Sequence, residues 1–337
     1  MNDHQMESKT VRNRFIDIAK ALGILLIVWG HSGGWGPLGN AMYVINTFHV
    51  PLFFFLSALF MTTALSFAEF SKKRAIRLLK PYLIFGLIAS FVYYLVTDND
   101  IIKIGGGIPW QFVRFGLGMR GEGYIFSGAL WFLPSLFASL ILCYTALKYF
   151  SRHLVLFSVI MMSASILTSY FKIILPFNID ISFFMVPIML AAYKYKTEIL
   201  SHNYNWKIAA LCLTAIIAYV GMLYFTGISS INFYGNTLGF VPISIITACC
   251  GIYIVLWISQ CLERWLKGRP KAILYWIGEN TIVFLVIHQT LIIHPLNMWN
   301  AILQYPILSG CIRFSIILVI CTISALVINR YLPKLIK

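Results

Sequence analysis

Apolar runs of bilayer length recur along the whole of this sequence, and they constrain its fold more than anything else in it. A helix that crosses hydrocarbon needs about 20 mostly apolar residues. Scanning with that length finds ten candidate spans, at 15–34, 44–66, 81–97, 129–150, 153–171, 178–193, 206–226, 236–260, 272–293 and 311–332. Lipid supplies no hydrogen-bond partner to the backbone, so the runs must be helices or the strands of a closed barrel. Barrel strands alternate apolar and polar residues over about ten positions, and stretches such as 24–29 and 208–220 do not alternate. The expected fold class is therefore all-α, a polytopic membrane protein of about ten transmembrane helices. Composition agrees: 60% of the 337 residues are hydrophobic and 11% charged, against about 25% charged in a soluble domain. A water-soluble globule and a disordered chain are both excluded.

The charge that remains is lopsided, with 26 Lys and Arg against 11 Asp and Glu, a formal net of +15. In a soluble protein that excess would suggest nucleic acid. Here it follows the spans. With a cytoplasmic N-terminus, only Lys103, Arg114, Arg120, Lys172 and Arg313 fall on the outer side. Short loops obey the positive-inside rule, so both termini are expected in the cytoplasm, in the cell membrane, with membrane lipid and not nucleic acid as the surrounding partner. The first run holds Asp17 and Lys20 and is followed by no small-residue cleavage site, so it does not read as a cleaved signal peptide. No stretch is long enough for a soluble domain, and 1–337 reads as one integral-membrane domain without a fused soluble one. The longest connection, 98–128, is Gly-rich and suggests an outer flap or re-entrant segment. The seven cysteines form no CxxC or Cys/His spacing and read as small packing residues.

Ionisable groups inside a span are costly and mark function by default. The first span concentrates them, with Asp17, Lys20 and His31 in RFIDIAKALGILLIVWGHSGGW. Lys20 and His31 are eleven helical positions apart, a rise of about 16.5 Å with both side chains on one stripe. Asp17 is three residues before Lys20 and can pair with it. The helix thus offers a cation near the cytoplasmic surface and an imidazole, a suitable general base, deep toward the other side. That separation matches an extended pantetheine arm, with phosphates at Lys20 and a thioester near His31. Structural readings stand beside this one: Lys20 can snorkel to the interface, and His31 can hydrogen-bond ahead of Gly33 and Gly34. Further along, His49 opens the second span and His288 ends the ninth, so three histidines could line one outer-facing cavity. No HxxxH or HExxH spacing supports a metal, and none is expected. Glu122, the only carboxylate in the flap, and Trp131 are further candidates for an acceptor site, and Glu279 and Asn280 are polar groups at the inner end of the ninth span. The densest cationic run, Lys72 to Lys80, contains Arg74 and Arg77 three residues apart. Guanidinium groups grip phosphate bidentately, although an ordinary basic collar has the same composition.

Five short motifs carry a resemblance. Lys20 followed after ten residues by His31 is similar to the Arg/Lys-x10-His motif of the membrane acyltransferase-3 family. Phe48-His49-Val50-Pro51-Leu52-Phe53-Phe54-Phe55-Leu56-Ser57 resembles its FHxPLFFFLSG signature, with Ala58 in place of Gly. Arg74-x-x-Arg77 before Pro81-Tyr82 resembles its RxxR–PY segment, and 130–133 and 278–288 resemble two later blocks. The matches run in family order, and the chain looks nearest to fucose 4-O-acetylase-like and exopolysaccharide acetyltransferases. The resemblance implies transfer of an acyl group, commonly acetyl from cytoplasmic acetyl-CoA, to a sugar hydroxyl of a surface polysaccharide or its lipid-linked precursor. It implies His31 as the essential imidazole, with Asp17 beside it in the catalytic set, to orient Lys20 or serve the inner gate, and Lys20, Arg74 and Arg77 in donor handling. The rival from another class is a transporter or flippase for a glycan or small solute; the lack of an internal repeat and the Lys20/His31 stripe speak against it.

Overall fold

The computed structural model describes residues 13–33, 41–96, 107–121, 126, 128–227, 231–289 and 306–336. Among these the chain is helical, and its one β feature is an isolated bridge between Asn232 and Thr237. Among the described residues nine helices are long and apolar enough to cross a membrane, or ten when one bent pair counts as a single span.

The helices that build the site are, in chain order, α1 (Arg14–Ser32), α2 (Ala41–Ile45), α3 (His49–Leu59), α4 (Phe67–Val96) and α5 (Gly107–Gly116). There follow α6 (Phe132–Tyr149), α7 (Leu154–Tyr170), α8 (Ile179–Lys194), α9 (Lys196–Ser201) and α10 (Trp206–Thr226). The chain then forms α11 (Val241–Trp265), α12 (Arg269–Glu279), α13 (Thr281–Ile287) and α14 (Pro306–Tyr331).

Three spans differ from their sequence outlines, each for a local reason. The second is broken, since α2 stops at Ile45, turns occupy 46–48, and α3 ends at Leu59 instead of running to 66. The third starts much earlier than 81. Ser66 and Glu69 form a reciprocal capping box, the Ser66 N–H donating to Glu69 Oε2 (3.0 Å) and the Glu69 N–H to Ser66 Oγ (3.3 Å). That cap satisfies donors a helix start leaves open. The basic run 72–80 is therefore not a connection but the first turns of a 30-residue helix, and Arg74 and Arg77 inherit its rigidity. The ninth span bends by 65° between α12 and α13. Asn280 sits at the bend, donates from Nδ2 to Trp276 O (2.7 Å) and accepts from Asn329 Nδ2 (2.5 Å). A broken helix in hydrocarbon needs such internal partners. The flap contains α5, and Glu122 lies outside the described residues.

Helix α1 is the axis of the molecule and packs against α3, α11, α12, α13 and α14. The strongly apolar α7 is the opposite case, only 11% of its span window being buried against 61% for α1. Lipid competes well for apolar side chains, so close backbone packing takes over from the hydrophobic effect as the cohesive force. Gly278 shows the principle. A Cβ there would lie 1.9 Å from the backbone oxygen of Asp17, so only glycine lets α12 close on α1.

Candidate functional site

Two cavities lie along α1. The larger, about 750 Å³, surrounds its first half and is walled by Asp17, Lys20, Arg74, Arg77, Lys196 and Glu279 among apolar residues of α1, α3, α4, α6 and α13. The volume is that of a site for an organic ligand of some size. Asp17 is buried, and it accepts from Lys20 Nζ at 3.4 Å and sits 3.9 Å from Arg14. Glu279 accepts from Arg14 Nη1 at 3.1 Å. Both carboxylates of the wall are thus engaged by cations at its rim. Among the described residues neither Arg74 nor Arg77 makes an ion pair, and the Arg74 guanidinium lies over the Phe70 ring at 5.0 Å. A cavity whose carboxylates are already paired and whose arginines are not attracts anions, with phosphate oxygens the best geometric match.

The smaller cavity, about 310 Å³, surrounds the other end of α1. His31, His49, Asn46, Trp131 and Tyr234 line it, and among the described residues no charged side chain does. His49 Nδ1 contacts Ile45 O at 2.8 Å, and His288 Nδ1 contacts Phe284 O at 2.9 Å and Leu285 O at 3.0 Å. A carbonyl can only accept, so both Nδ1 atoms carry hydrogen. His31 is exposed to the cavity, and its ring centroid is 5.3 Å from that of His288. Three apolar side chains, Ile27, Phe132 and Leu285, belong to both cavities and form the boundary where they meet.

The sequence-selected residues therefore divide cleanly. Asp17, Lys20, Arg74, Arg77 and Glu279 gather around one cavity. His31, His49 and Trp131 gather around the other, with His288 packed behind His31. Asn280 stands apart from both, at the helix bend. Among the described residues no group of three or more His, Cys, Asp or Glu stands close enough to hold a metal ion.

Other functional residues carry no sequence signal. Lys196, from the start of α9, brings a further cation to the larger cavity. Arg120 and Asp180 form a fully buried ion pair, with Nη2 to Oδ2 at 2.5 Å and Nη1 to Oδ1 at 3.3 Å. Arg120 also donates to Asn178 Oδ1 (2.9 Å) and Tyr234 O (2.7 Å), while Asn178 Nδ2 donates to Trp131 O (3.1 Å). This clamp ties the flap, the start of α8 and the segment before α11 to one point, and through Trp131 and Tyr234 it shapes the histidine cavity. Phe177 and Asn178 take left-handed backbone angles to reach it, φ +54° and +51°, a costly conformation for a side-chain-bearing residue. The partners lie 58 to 114 residues apart, so no spacing motif could have announced them.

Comparison with known proteins adds one finding. A family model described as an acyltransferase domain matches residues 13–330. No curated protein and no solved structure matches the chain.

Proposed function

We propose that this chain, which belongs to the membrane acyltransferase family whose model spans residues 13–330, moves an acetyl group from acetyl-CoA to a sugar hydroxyl. The acceptor would be a surface polysaccharide or its lipid-linked precursor, as in the fucose 4-O-acetylase-like subgroup that the motifs resemble. In this reading the protein lies in the cell membrane with both termini in the cytoplasm. The observation that carries it is one helix with its Lys20 in a cation-rich cavity and its His31 in an uncharged one, the two meeting at Ile27, Phe132 and Leu285.

The chemistry follows from that division. The 3′-phosphate and pyrophosphate of the donor occupy the larger cavity, held by Arg74, Arg77, Lys20 and Lys196, and Asp17 fixes Lys20. The pantetheine arm runs along α1, a rise of about 16.5 Å between Lys20 and His31, and presents the thioester beside His31. One ring nitrogen of His31 takes the proton of the acceptor hydroxyl. The oxygen attacks the thioester carbonyl, the new C–O bond forms, the C–S bond breaks, and the thiolate leaves with the proton that His31 returns. His49, Trp131 and Glu122 are the acceptor-side candidates.

Membranes containing the full-length chain test this directly. Wild-type membranes should pass label from acetyl-CoA to glycan, and His31→Ala should reduce transfer to background. Undiminished transfer by His31→Ala would remove the assignment. Solute uptake or glycan flipping without acyl transfer would favour the transporter instead.

A further inference from the structure

Nε2 of His288 is one of the buried polar atoms without a hydrogen-bond partner among the described residues. A buried polar atom left unsatisfied costs about 1–3 kcal/mol, and in a folded protein such an atom calls for an explanation. Its tautomer is fixed: Nδ1–H donates to Phe284 and Leu285 carbonyls of its own helix, so Nε2 of the neutral ring is a lone pair that can only accept. The nearest ring is that of His31, 5.3 Å away between centroids and tilted by 45°. Among the described residues His31 makes no hydrogen bond, whereas His49, like His288, is tied through Nδ1 to its own helix. One imidazole has an uncommitted N–H, and its neighbour has an uncommitted acceptor.

We propose that His288 is the positioning residue of the reaction, its Nε2 accepting the N–H of His31, directly or through one water. This rests on the reading of His31 as the reacting imidazole. The bond would select one His31 tautomer and turn its other nitrogen, as a lone pair, toward the acceptor hydroxyl. When His31 gains the hydroxyl proton, the same bond holds the imidazolium in place until the proton passes to the departing thiolate. His288 exchanges no proton in this scheme. It does for His31 what an orienting third group does for the base of a hydrolytic triad. The helix carbonyls in turn hold His288, which gives the bend between α12 and α13 a purpose: it delivers a rigid acceptor behind α1.

Two amide variants separate the two ends of the ring. Asn places its amide near the Nδ1 position and keeps a donor for the helix carbonyls. Gln reaches the Nε2 position and keeps an acceptor for His31. Transfer from labelled acetyl-CoA is measured at varied donor concentration in membranes holding equal amounts of each full-length variant, with His31→Ala alongside. His288→Asn should lower kcat by about 10²-fold or more, within the scale of losing the group that orients a catalytic imidazole, at unchanged KM for acetyl-CoA. His288→Gln should recover at least tenfold of that loss. The opposite order, Asn active and Gln inactive, means a structural role through Nδ1 and overturns the proposal. So does equal loss in both, which would require a titrating ring, and so does wild-type kcat in both. An active His31→Ala would instead overturn the underlying assignment. An inactive His31→Ala beside an active His288→Asn overturns only the positioning role.

Discussion

The two cavities along α1 use opposite means to make a site. The larger one depends on charge, with Lys20, Arg74, Arg77 and Lys196 in a wall whose two carboxylates are already engaged. Among the described residues the smaller one has no charged lining residue, and it depends on the fixed direction of neutral groups, His31, His49, Asn46, Trp131 and Tyr234. Its charges are one layer behind, in the Arg120–Asp180 clamp. A donor that carries phosphates is recognised by Coulomb attraction and can be held loosely in position. A reacting hydroxyl is weakly polar and must be held by geometry. The difference predicts that substitutions at the first cavity change donor affinity, and that those at the second change turnover and acceptor use.

The sharpest test of that split is the arginine pair. Each charge-assisted hydrogen bond is worth about 1.5–3 kcal/mol, so Arg74→Gln with Arg77→Gln should weaken acetyl-CoA binding by about 10²-fold or more. The kcat at saturating donor should fall far less. Lys at either position should restore only part of the loss, since a point charge replaces a bidentate fork. Titration calorimetry with CoA itself reads the effect without any acceptor. Unchanged CoA affinity in the double variant would assign the pair to a membrane collar and end the comparison.

The clamp comes next in size. Removing one partner of a buried ion pair costs about 3–5 kcal/mol because a lone charge remains. Asp180→Asn should therefore lower the thermal midpoint and raise the KM for acceptor, leaving CoA binding near wild type. Arg120→Met with Asp180→Leu removes both charges and should recover most of the stability, but not the acceptor KM, because Tyr234 O loses its guanidinium donor and Asn178 keeps only the backbone N–H of residue 120. A recovered KM would make the clamp a stability device only.

Gly278→Ala acts on the other side of the boundary. Its Cβ would meet the Asp17 backbone oxygen at 1.9 Å, so α12 must move away from α1 by more than an ångström. Overpacking of this kind costs about 1–3 kcal/mol. Asp17 and Glu279 both belong to the larger cavity, so CoA affinity should fall by about tenfold while acceptor KM holds. A loss of acceptor KM alone would show that the strain travels along α13 to the histidines instead.

These predictions draw unequally on the sequence. The spans were legible because a helix in lipid must be apolar along its whole length, and the Lys20/His31 stripe because one straight helix carries both. The start of α4 was legible too, in Ser66-x-x-Glu69, yet the basic run masked it: nine residues with five cations do not look like part of a span. The bend at Asn280 depends on a partner in another helix, Asn329. The Arg120 clamp depends on contacts between segments more than 50 residues apart, and such contacts leave no periodicity to find.

The smallest effect concerns the boundary itself. Ile27 sits one helical turn before His31 on the same face, and Phe132 and Leu285 close the passage from α6 and α13. Phe132 is braced edge-on by Phe53 and Phe54, at 6.0 and 5.1 Å between centroids, so among the described residues Ile27 and Leu285 are the side chains of the boundary without an aromatic brace. An acetyl thioester adds little bulk to the pantetheine arm, whereas each further methylene must fit between these side chains. Trimming Ile27 to Ala removes three carbons from this shared wall. The discrimination available there is about 1 kcal/mol per methylene, so the variant should raise kcat/KM for propionyl-CoA, one methylene longer, relative to acetyl-CoA by about fivefold, with CoA affinity unchanged. Leu285→Ala should act in the same direction, and Ile24→Ala, which lines only the larger cavity, should not. If Ile24→Ala relaxes chain length as much as Ile27→Ala, the acyl group is selected before it reaches the boundary, and the cationic cavity reads the acyl chain as well as the phosphates.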